Sequence, residues 1–259
     1  MRLLKGMFCS VALITIFILP TFVEEAAAQS PVRGNYALIY NGAGADPDST
    51  EAIADIAGKS GLKIQYVSNL SALPMLLDNA RVFILGGTDD DVQPLLEAFT
   101  PTTRQALKAY LLNGGRYLGV CGGAFLASAG WHDEGDFFPA LGLTPAESDA
   151  YDEDFAPKIY PITWLGETRR MYYQAGPEFT LLPDAEFTQI IASYDNGQPA
   201  ALVNSYGHGK VAVSGPHPEA PSSWKNEAFN GHTMQDNTRL AEALLQALLS
   251  DQPVSIDQR

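Results

Sequence analysis

The stretch that decides the fold is Arg116-Tyr-Leu-Gly-Val-Cys-Gly-Gly-Ala-Phe-Leu-Ala-Ser128. Residues 117–120 are apolar enough for a buried strand, and the small residues after Cys121 can open a helix. Gly119 and Gly123 stand two positions on either side of the cysteine, where a sharp strand-to-helix turn leaves no room for side chains. The pattern therefore predicts a nucleophile elbow that carries a thiol in place of the usual serine hydroxyl.

A structural alternative is a strand–turn–helix connection in which Cys121 is only a small buried residue. In the elbow, by contrast, the thiol lies at the carboxyl ends of parallel strands and at a helix N-terminus, whose dipole favours a thiolate. We favour the elbow because the strand, the two spaced glycines and the helix occur together.

Strands and helices alternate through the rest of the first half of the chain. Asp48 with Glu51 predicts a capping box that opens a helix ending near residue 59, and a second helix ends at residues 113–115. The predicted strands are Tyr36–Tyr40, Lys63–Val67, Val82–Leu85 and, in the second half, residues 158–163, 171–174, 190–194, 200–206 and 210–214. An amphipathic helix follows at residues 236–250. The fold class predicted is α/β, with a mostly parallel sheet flanked by helices and extended by antiparallel strands.

The charge balance of the chain excludes some classes of partner. The 259 residues contain 16 Lys and Arg against 30 Asp and Glu, a formal net charge of −14. Such an acidic chain is a poor ligand for nucleic acid or for an anionic membrane surface, which both attract clustered basic residues. The length suits one domain, predicted at residues 29–259.

Residues 1–28 have the pattern of a secretory signal peptide. Arg2 and Lys5 precede an apolar run over residues 7–23, and small residues follow at 26–28. We therefore expect an exported protein, periplasmic or secreted, that is not in the membrane after the signal is removed. Removal would also take Cys9 and leave Cys121 as the single cysteine, without an internal disulfide.

The segment Ser214-Gly-Pro-His-Pro-Glu219 supplies partners for the thiol. His217 follows an apolar strand on a rigid, proline-flanked loop, and in extended backbone residues i and i+2 point the same way. Glu219 can therefore orient the imidazole, which completes a Cys–His–Glu set of nucleophile, base and orienting group. The alternative is a loop histidine beside a solvated glutamate. The other histidines, His132, His208 and His232, are predicted to lie on the surface.

Glycines at the end of the preceding strand indicate an oxyanion site. Gly86 and Gly87 follow Val82–Leu85, where a backbone without side chains can approach a substrate closely. We expect the Gly87 amide, with that of Gly122 after the nucleophile, to hold the oxyanion. An ordinary strand-end turn is the alternative.

These motifs resemble the class I glutamine amidotransferase-like superfamily and, more closely, the N-terminal domain of eukaryotic-type biotin–protein ligases. The second resemblance rests on residues 40–44, 115–124 and 214–219. It implies a flavodoxin-like three-layer fold, the triad Cys121, His217 and Glu219, and a pocket lined by Tyr173 and Gly176 in the segment Tyr172-Tyr-Gln-Ala-Gly-Pro177. No segment resembles the ligase catalytic domain, so biotin ligation is not implied.

The leading hypothesis is an exported cysteine-dependent hydrolase that acts on an amide or related acyl bond of a small-molecule or peptide-like substrate. One alternative is a non-catalytic module of the same fold that binds a small ligand. Another is a redox-sensing thiol, which would need a partner outside the chain. The sequence indicates neither a metal site nor a cofactor, and it does not indicate the oligomeric state.

Overall fold

The computed structural model describes residues 33–133, 135–152, 154–226 and 230–250. The predicted signal peptide lies outside the described residues. None of the helices within the described ranges is long and apolar enough to cross a membrane.

The strands closely follow the apolar runs of the sequence. They are β1 (Tyr36–Tyr40), β2 (Lys63–Val67), β3 (Val82–Leu85), β4 (Arg116–Val120), β5 (Gly130–Asp133), β6 (Asp136–Pro139), β7 (Ala146–Ala150), β8 (Lys158–Trp164), β9 (Glu167–Tyr173), β10 (Pro177–Leu181), β11 (Thr188–Ser193), β12 (Pro199–Tyr206) and β13 (Gly209–Ser214). The sequence did not predict β5, β6, β7 or β10, which form two small antiparallel pairs outside the main sheet.

The main sheet has nine strands in the order β2-β1-β3-β4-β13-β12-β11-β8-β9. The first five strands are mutually parallel, and the last four continue the sheet in antiparallel pairs. The predicted parallel sheet with an antiparallel extension is confirmed.

The helices are α1 (Pro47–Lys59), α2 (Leu73–Leu76), α3 (Gln93–Ala98), α4 (Pro101–Leu112), α5 (Gly122–Ala127) and α6 (Thr238–Leu249). The predicted capping box at Asp48 is wrong. The N-cap is Asp46, whose carboxylate accepts a hydrogen bond from the Ser49 N–H at 2.6 Å, and Pro47 takes the first helical position.

Two apolar clusters cover the two faces of the sheet. Helices α1 and α6 pack on one face, against residues such as Ile39 and Val120. Helices α2 to α5 pack on the other, against residues such as Phe83 and Val213. Alternate residues of each parallel strand feed the two clusters, as expected for strands buried on both faces. The result is a three-layer α/β domain whose loops at the carboxyl ends of the parallel strands remain free to form a site.

Candidate active site

Three neighbouring strands end together at the candidate site. In the register of β3, β4 and β13, Leu85 lies opposite Gly119, which lies opposite Val213. The chain therefore brings three segments to one edge of the sheet: the Gly86-Gly87 turn, Cys121 and the loop that carries His217. This is the carboxyl edge of the parallel strands, where α/β folds place their ligands.

Cys121 occupies a strained backbone conformation. Its φ is 52° and its ψ is −112°, and helix α5 begins at the next residue. A Cβ atom on Gly119 would lie 2.4 Å from the Gly123 carbonyl oxygen, and one on Gly123 would lie 2.0 Å from the Leu85 carbonyl oxygen. Only glycine fits at both positions, because the crossing segments pack backbone against backbone. A positive φ at a non-glycine residue is kept only where the surrounding structure enforces it, and such strain is common at functional sites.

The thiol is partly exposed and has two polar neighbours. Cys121 Sγ lies 3.3 Å from the Gln174 carbonyl oxygen, to which it can donate. The His217 side chain borders the same cavity as the thiol, and the interaction with Cys121 contributes to the raised pKa of the imidazole. The structure thus brings together a nucleophile and a base that are far apart in sequence.

His217 is buried and held from several sides. Its Nδ1 lies 2.8 Å from Glu219 Oε1, and the two residues are only 4% and 1% exposed. The backbone N–H of His217 donates to the Tyr172 carbonyl oxygen at 2.9 Å. The rings of Tyr172 and Trp224 stand edge-on to the imidazole, with centroids at 5.5 and 5.7 Å. These contacts fix the ring, with Nδ1 facing the carboxylate.

The surroundings of His217 favour its protonated form. Burial opposes a charge on the imidazole, but the negative charges of Glu219 and Cys121 outweigh burial and raise the pKa of His217 above its usual value. An imidazole that keeps its proton near neutral pH can stabilise an adjacent thiolate and serve as a general acid.

Ser49 is a site residue that sequence reasoning missed. It lies in the first turn of α1, is 1% exposed, and its hydroxyl donates to Glu219 Oε1 at 3.3 Å. The same hydroxyl accepts the Gly87 N–H at 2.7 Å. A Cβ on Gly86 would lie 2.9 Å from Ser49 Oγ, so the Gly-Gly pair leaves room for this hydroxyl. The only signal in the sequence was a serine just inside a helix, which is too common to single out.

The predicted oxyanion donors need a correction. The Gly87 N–H is not free, because it donates to Ser49, and Gly86 contributes its carbonyl oxygen to the Gly123 N–H at 3.0 Å. Gly122 keeps its predicted position at the start of α5, where an N–H has no intrahelical acceptor. Its missing Cβ would lie 1.9 Å from Thr88 Oγ1, so Thr88 packs directly over it.

Thr88 offers a second backbone donor. It pairs with Ala45 in an isolated antiparallel bridge. The bridge is closed by the bonds Asp46 N to Gly87 O and Asp89 N to Gly44 O, each of 3.0 Å. In such a pair the central N–H points away from the partner strand. Across the described part of the chain, neither Thr88 N–H nor Gly122 N–H has a hydrogen-bond acceptor.

The predicted pocket residues Tyr173 and Gly176 do not line the cavity. Tyr173 is fully buried, and its hydroxyl contacts the Gly176 carbonyl oxygen at 3.1 Å. Gly176 packs against the histidine loop, since its Cβ would lie 2.0 Å from the Gly215 carbonyl oxygen. Neighbouring strand residues point to opposite faces, so it is Tyr172, one position earlier, that borders the cavity, together with Gln174.

A cavity of about 870 Å³ opens over Cys121 and His217. This size suits a small molecule or a short peptide segment. His132, expected on the surface, is exposed and lies at the cavity wall, whereas His208 and His232 are exposed elsewhere. Within the described ranges, no group of three His, Cys, Asp or Glu is arranged to hold a metal ion.

Comparison with known proteins agrees with this architecture. Residues 35–135 match the family model described as "Biotin-protein ligase, N terminal", a stretch that includes Cys121 and ends before His217. The fold is that of the class I glutamine amidotransferases. The resemblance inferred from the motifs is thereby confirmed.

Two solved structures show the likeness. One glutamine amidotransferase is 16% identical over 70% of this chain and 90% of its own, with a TM-score of 0.55. A glutamine amidotransferase from Thermotoga maritima is 14% identical over 84% of this chain and 96% of its own, with a TM-score of 0.53. A search of curated proteins found no match. At these identities the structures establish the fold and leave the reaction to be argued from the site.

Proposed function

We propose that this chain is an exported, cysteine-dependent hydrolase of an amide or related acyl bond. The observation that carries the proposal is the arrangement of three side chains at the sheet edge. A partly exposed thiol on a strained turn shares its cavity with a buried imidazole, whose Nδ1 lies 2.8 Å from a buried carboxylate. A thiolate nucleophile, a base and an orienting group are the parts that covalent acyl transfer requires.

In the first step, the Cys121 thiolate attacks the substrate carbonyl carbon and a carbon–sulfur bond forms. The carbon–nitrogen bond then breaks, and the imidazolium of His217 donates its proton to the departing amine. The raised pKa of His217 supports this role, because the proton is in place before the substrate arrives. The products of this half-reaction are a free amine and a thioester on Cys121.

In the second step, neutral His217 takes a proton from water as the water oxygen attacks the thioester carbonyl. The carbon–sulfur bond breaks, a carboxylic acid leaves, and the thiolate–imidazolium pair is restored. Glu219 holds the ring orientation throughout, and Ser49 holds Glu219 by donating to the same oxygen that His217 uses.

We assign the oxyanion donors to the N–H groups of Gly122 and Thr88. Both lack acceptors among the described residues, and the two residues are in contact beside Cys121. Each donor of this kind contributes roughly 3–4 kcal/mol to stabilisation of the transition state in related sites.

The activated thiol is tested by the rate of Cys121 alkylation with iodoacetamide, with peptide mass mapping to separate Cys121 from Cys9. We expect Cys121 in the folded chain to react faster than in urea-denatured chain, and His217→Ala to remove the difference. His208→Ala is the matched control, since His208 is exposed at a hairpin turn far from the thiol. Equal rates for folded and denatured chain would exclude an activated thiol.

Hydrolysis itself is tested with a panel of amides and the Cys121→Ala variant. The expected result is turnover by the unmodified chain, an acyl adduct on Cys121 in quenched samples, and no turnover by the variant. If ligands bind with equal affinity to both proteins and no adduct forms, the non-catalytic binding module replaces this proposal. Export is tested separately, by locating the full-length chain after cell fractionation.

A further inference from the structure

The cavity wall has an unusual charge distribution. Seven aspartates border it: Asp46, Asp48, Asp89, Asp90, Asp91, Asp133 and Asp149. Among the described residues that line the cavity there is neither a lysine nor an arginine, and none of these aspartates forms an ion pair with a described basic residue. They come from separate segments of the chain, so the concentration of charge is a property of the folded molecule.

The carboxylates of the cavity wall come from several elements. Asp89, Asp90 and Asp91 form the exposed loop after Thr88, while Asp133 and Asp149 are exposed on strands β5 and β7. Since no three of them are arranged to hold a metal ion, their common effect is a negative field over the thiol. A cleft lined by one sign of charge raises the local concentration of oppositely charged ligands.

Aromatic rings provide a second, independent feature of the same cavity. Trp131 stacks with Phe138, the ring centroids 6.3 Å apart, and meets Phe125 edge-on at 6.2 Å. Trp224 lies at the side of His217, 4.9 Å from the Tyr172 ring. Indole faces attract ammonium and guanidinium groups, and the attraction grows where water is excluded. A cavity that combines indole rings with several carboxylates is complementary to an organic cation.

From these two features we infer that the substrate of the candidate active site carries a positive charge, as an ammonium or guanidinium group, close to its scissile acyl bond. The inference rests on the proposed function, because it assigns the chemical class of the substrate that Cys121 attacks. It also gives the net charge of −14 a local role that composition alone did not reveal.

The test uses three methanethiosulfonate reagents that differ in charge: the trimethylammonioethyl, methyl and sulfonatoethyl compounds. In each reaction the Cys121 thiolate displaces methanesulfinate and a mixed disulfide forms, so no knowledge of the substrate is needed. Rates at Cys121 are measured on the full chain by peptide mass mapping and divided by the rates for 2-mercaptoethanol. We expect the cationic reagent to be favoured over the anionic one by at least about tenfold at low salt, and less at high salt.

The variant Asp89→Asn/Asp90→Asn/Asp91→Asn removes three charges from the opening and keeps the side-chain shapes. Asp91 Oδ1 accepts the Gln93 N–H at 2.9 Å at the start of α3, and asparagine retains that acceptor. The control Asp55→Asn/Asp184→Asn/Glu186→Gln removes three charges from exposed positions away from the cavity. We expect only the first variant to lower the normalised cation preference, by about threefold or more.

Equal normalised rates for the three reagents would overturn the inference. The same loss of cation preference in both triple variants would also overturn it. The second result would show that net charge acts and that the cavity does not. A second test measures the rates at which the chain hydrolyses amides with ammonium, neutral or carboxylate substituents. Preference for the ammonium amide supports the inference, and preference for the carboxylate amide overturns it. If no amide is hydrolysed while the reagents keep their order, the proposed function fails and the cation-selective cavity stands.

Discussion

Removing the Ser49 hydroxyl is expected to weaken both the fold and the site. In Ser49→Ala, the buried Gly87 N–H loses its acceptor at 2.7 Å, and Glu219 loses a donor at 3.3 Å. A buried donor left without a partner costs about 1–3 kcal/mol. The Glu219 contact is longer and adds less. We therefore expect the free energy of unfolding to fall by about 2 kcal/mol, measured by urea denaturation at neutral pH.

The effect on the site separates this role from simple packing. Among the residues that the structure describes, none bonds Glu219 Oε2, so Oε1 carries the contacts of the carboxylate with both Ser49 and His217. Without Ser49, Glu219 is less firmly placed, and Cys121 alkylation by iodoacetamide should slow at pH 7 under conditions where the chain remains folded.

The matched control is Thr50→Val, which removes a neighbouring buried hydroxyl that donates to the carbonyl oxygen of Asp46, the N-cap of α1. Thr50→Val should lower stability and leave the alkylation rate unchanged. The reasoning is refuted if the free energy of unfolding of Ser49→Ala lies within about 0.5 kcal/mol of that of the unmodified chain and Cys121 is alkylated at the same rate in both.

Three further predictions follow from the same contacts. Gly122→Ala should destabilise the chain by about 1–3 kcal/mol, because the new methyl group overlaps the Thr88 side chain; urea denaturation should show recovery in Gly122→Ala/Thr88→Gly. Tyr173→Phe should lower the free energy of unfolding without changing Cys121 alkylation, since its hydroxyl contacts buried backbone and not the cavity. The pKa of His217 is raised to about 10, so its contribution to stability is complete below about pH 6.5 and is lost as pH rises towards 10. Glu219→Gln should make the free energy of unfolding fall less steeply over this pH range. Urea denaturation of both proteins between pH 6.5 and 10 tests this, and an equal fall in both would contradict the role of Glu219.

The elbow could be predicted from sequence because its constraints are local. A strand, a nucleophile and a helix that meet within a few residues need glycine two positions on either side, and Gly119 and Gly123 stand there. The pairing of His217 with Glu219 also depends on neighbours in the chain, since residues two apart in extended backbone share a side. In the structure, His217 Nδ1 and Glu219 Oε1 lie 2.8 Å apart, as this spacing predicts.

Positions that depend on distant segments were predicted less well. The resemblance implied that Tyr173 lines the pocket, but in the folded chain Tyr173 lies in the core and Tyr172 borders the cavity. The Gly87 amide looked free in the sequence, because its acceptor lies 38 residues earlier on α1. The N-cap of that helix was predicted two positions too late, at Asp48 instead of Asp46, because an aspartate at either position suits an N-cap.

The sequence by itself determined the nine strands of the main sheet, the sharp turn at Cys121 and the orientation of Glu219 beside His217, because each follows from residues close together in the chain. Tertiary structure alone decided the contact of Ser49 with Glu219, the position of Thr88 over Gly122 and the gathering of seven aspartates around one cavity. These depend on the order of strands in the sheet, which brings the carboxyl ends of distant segments to a common edge.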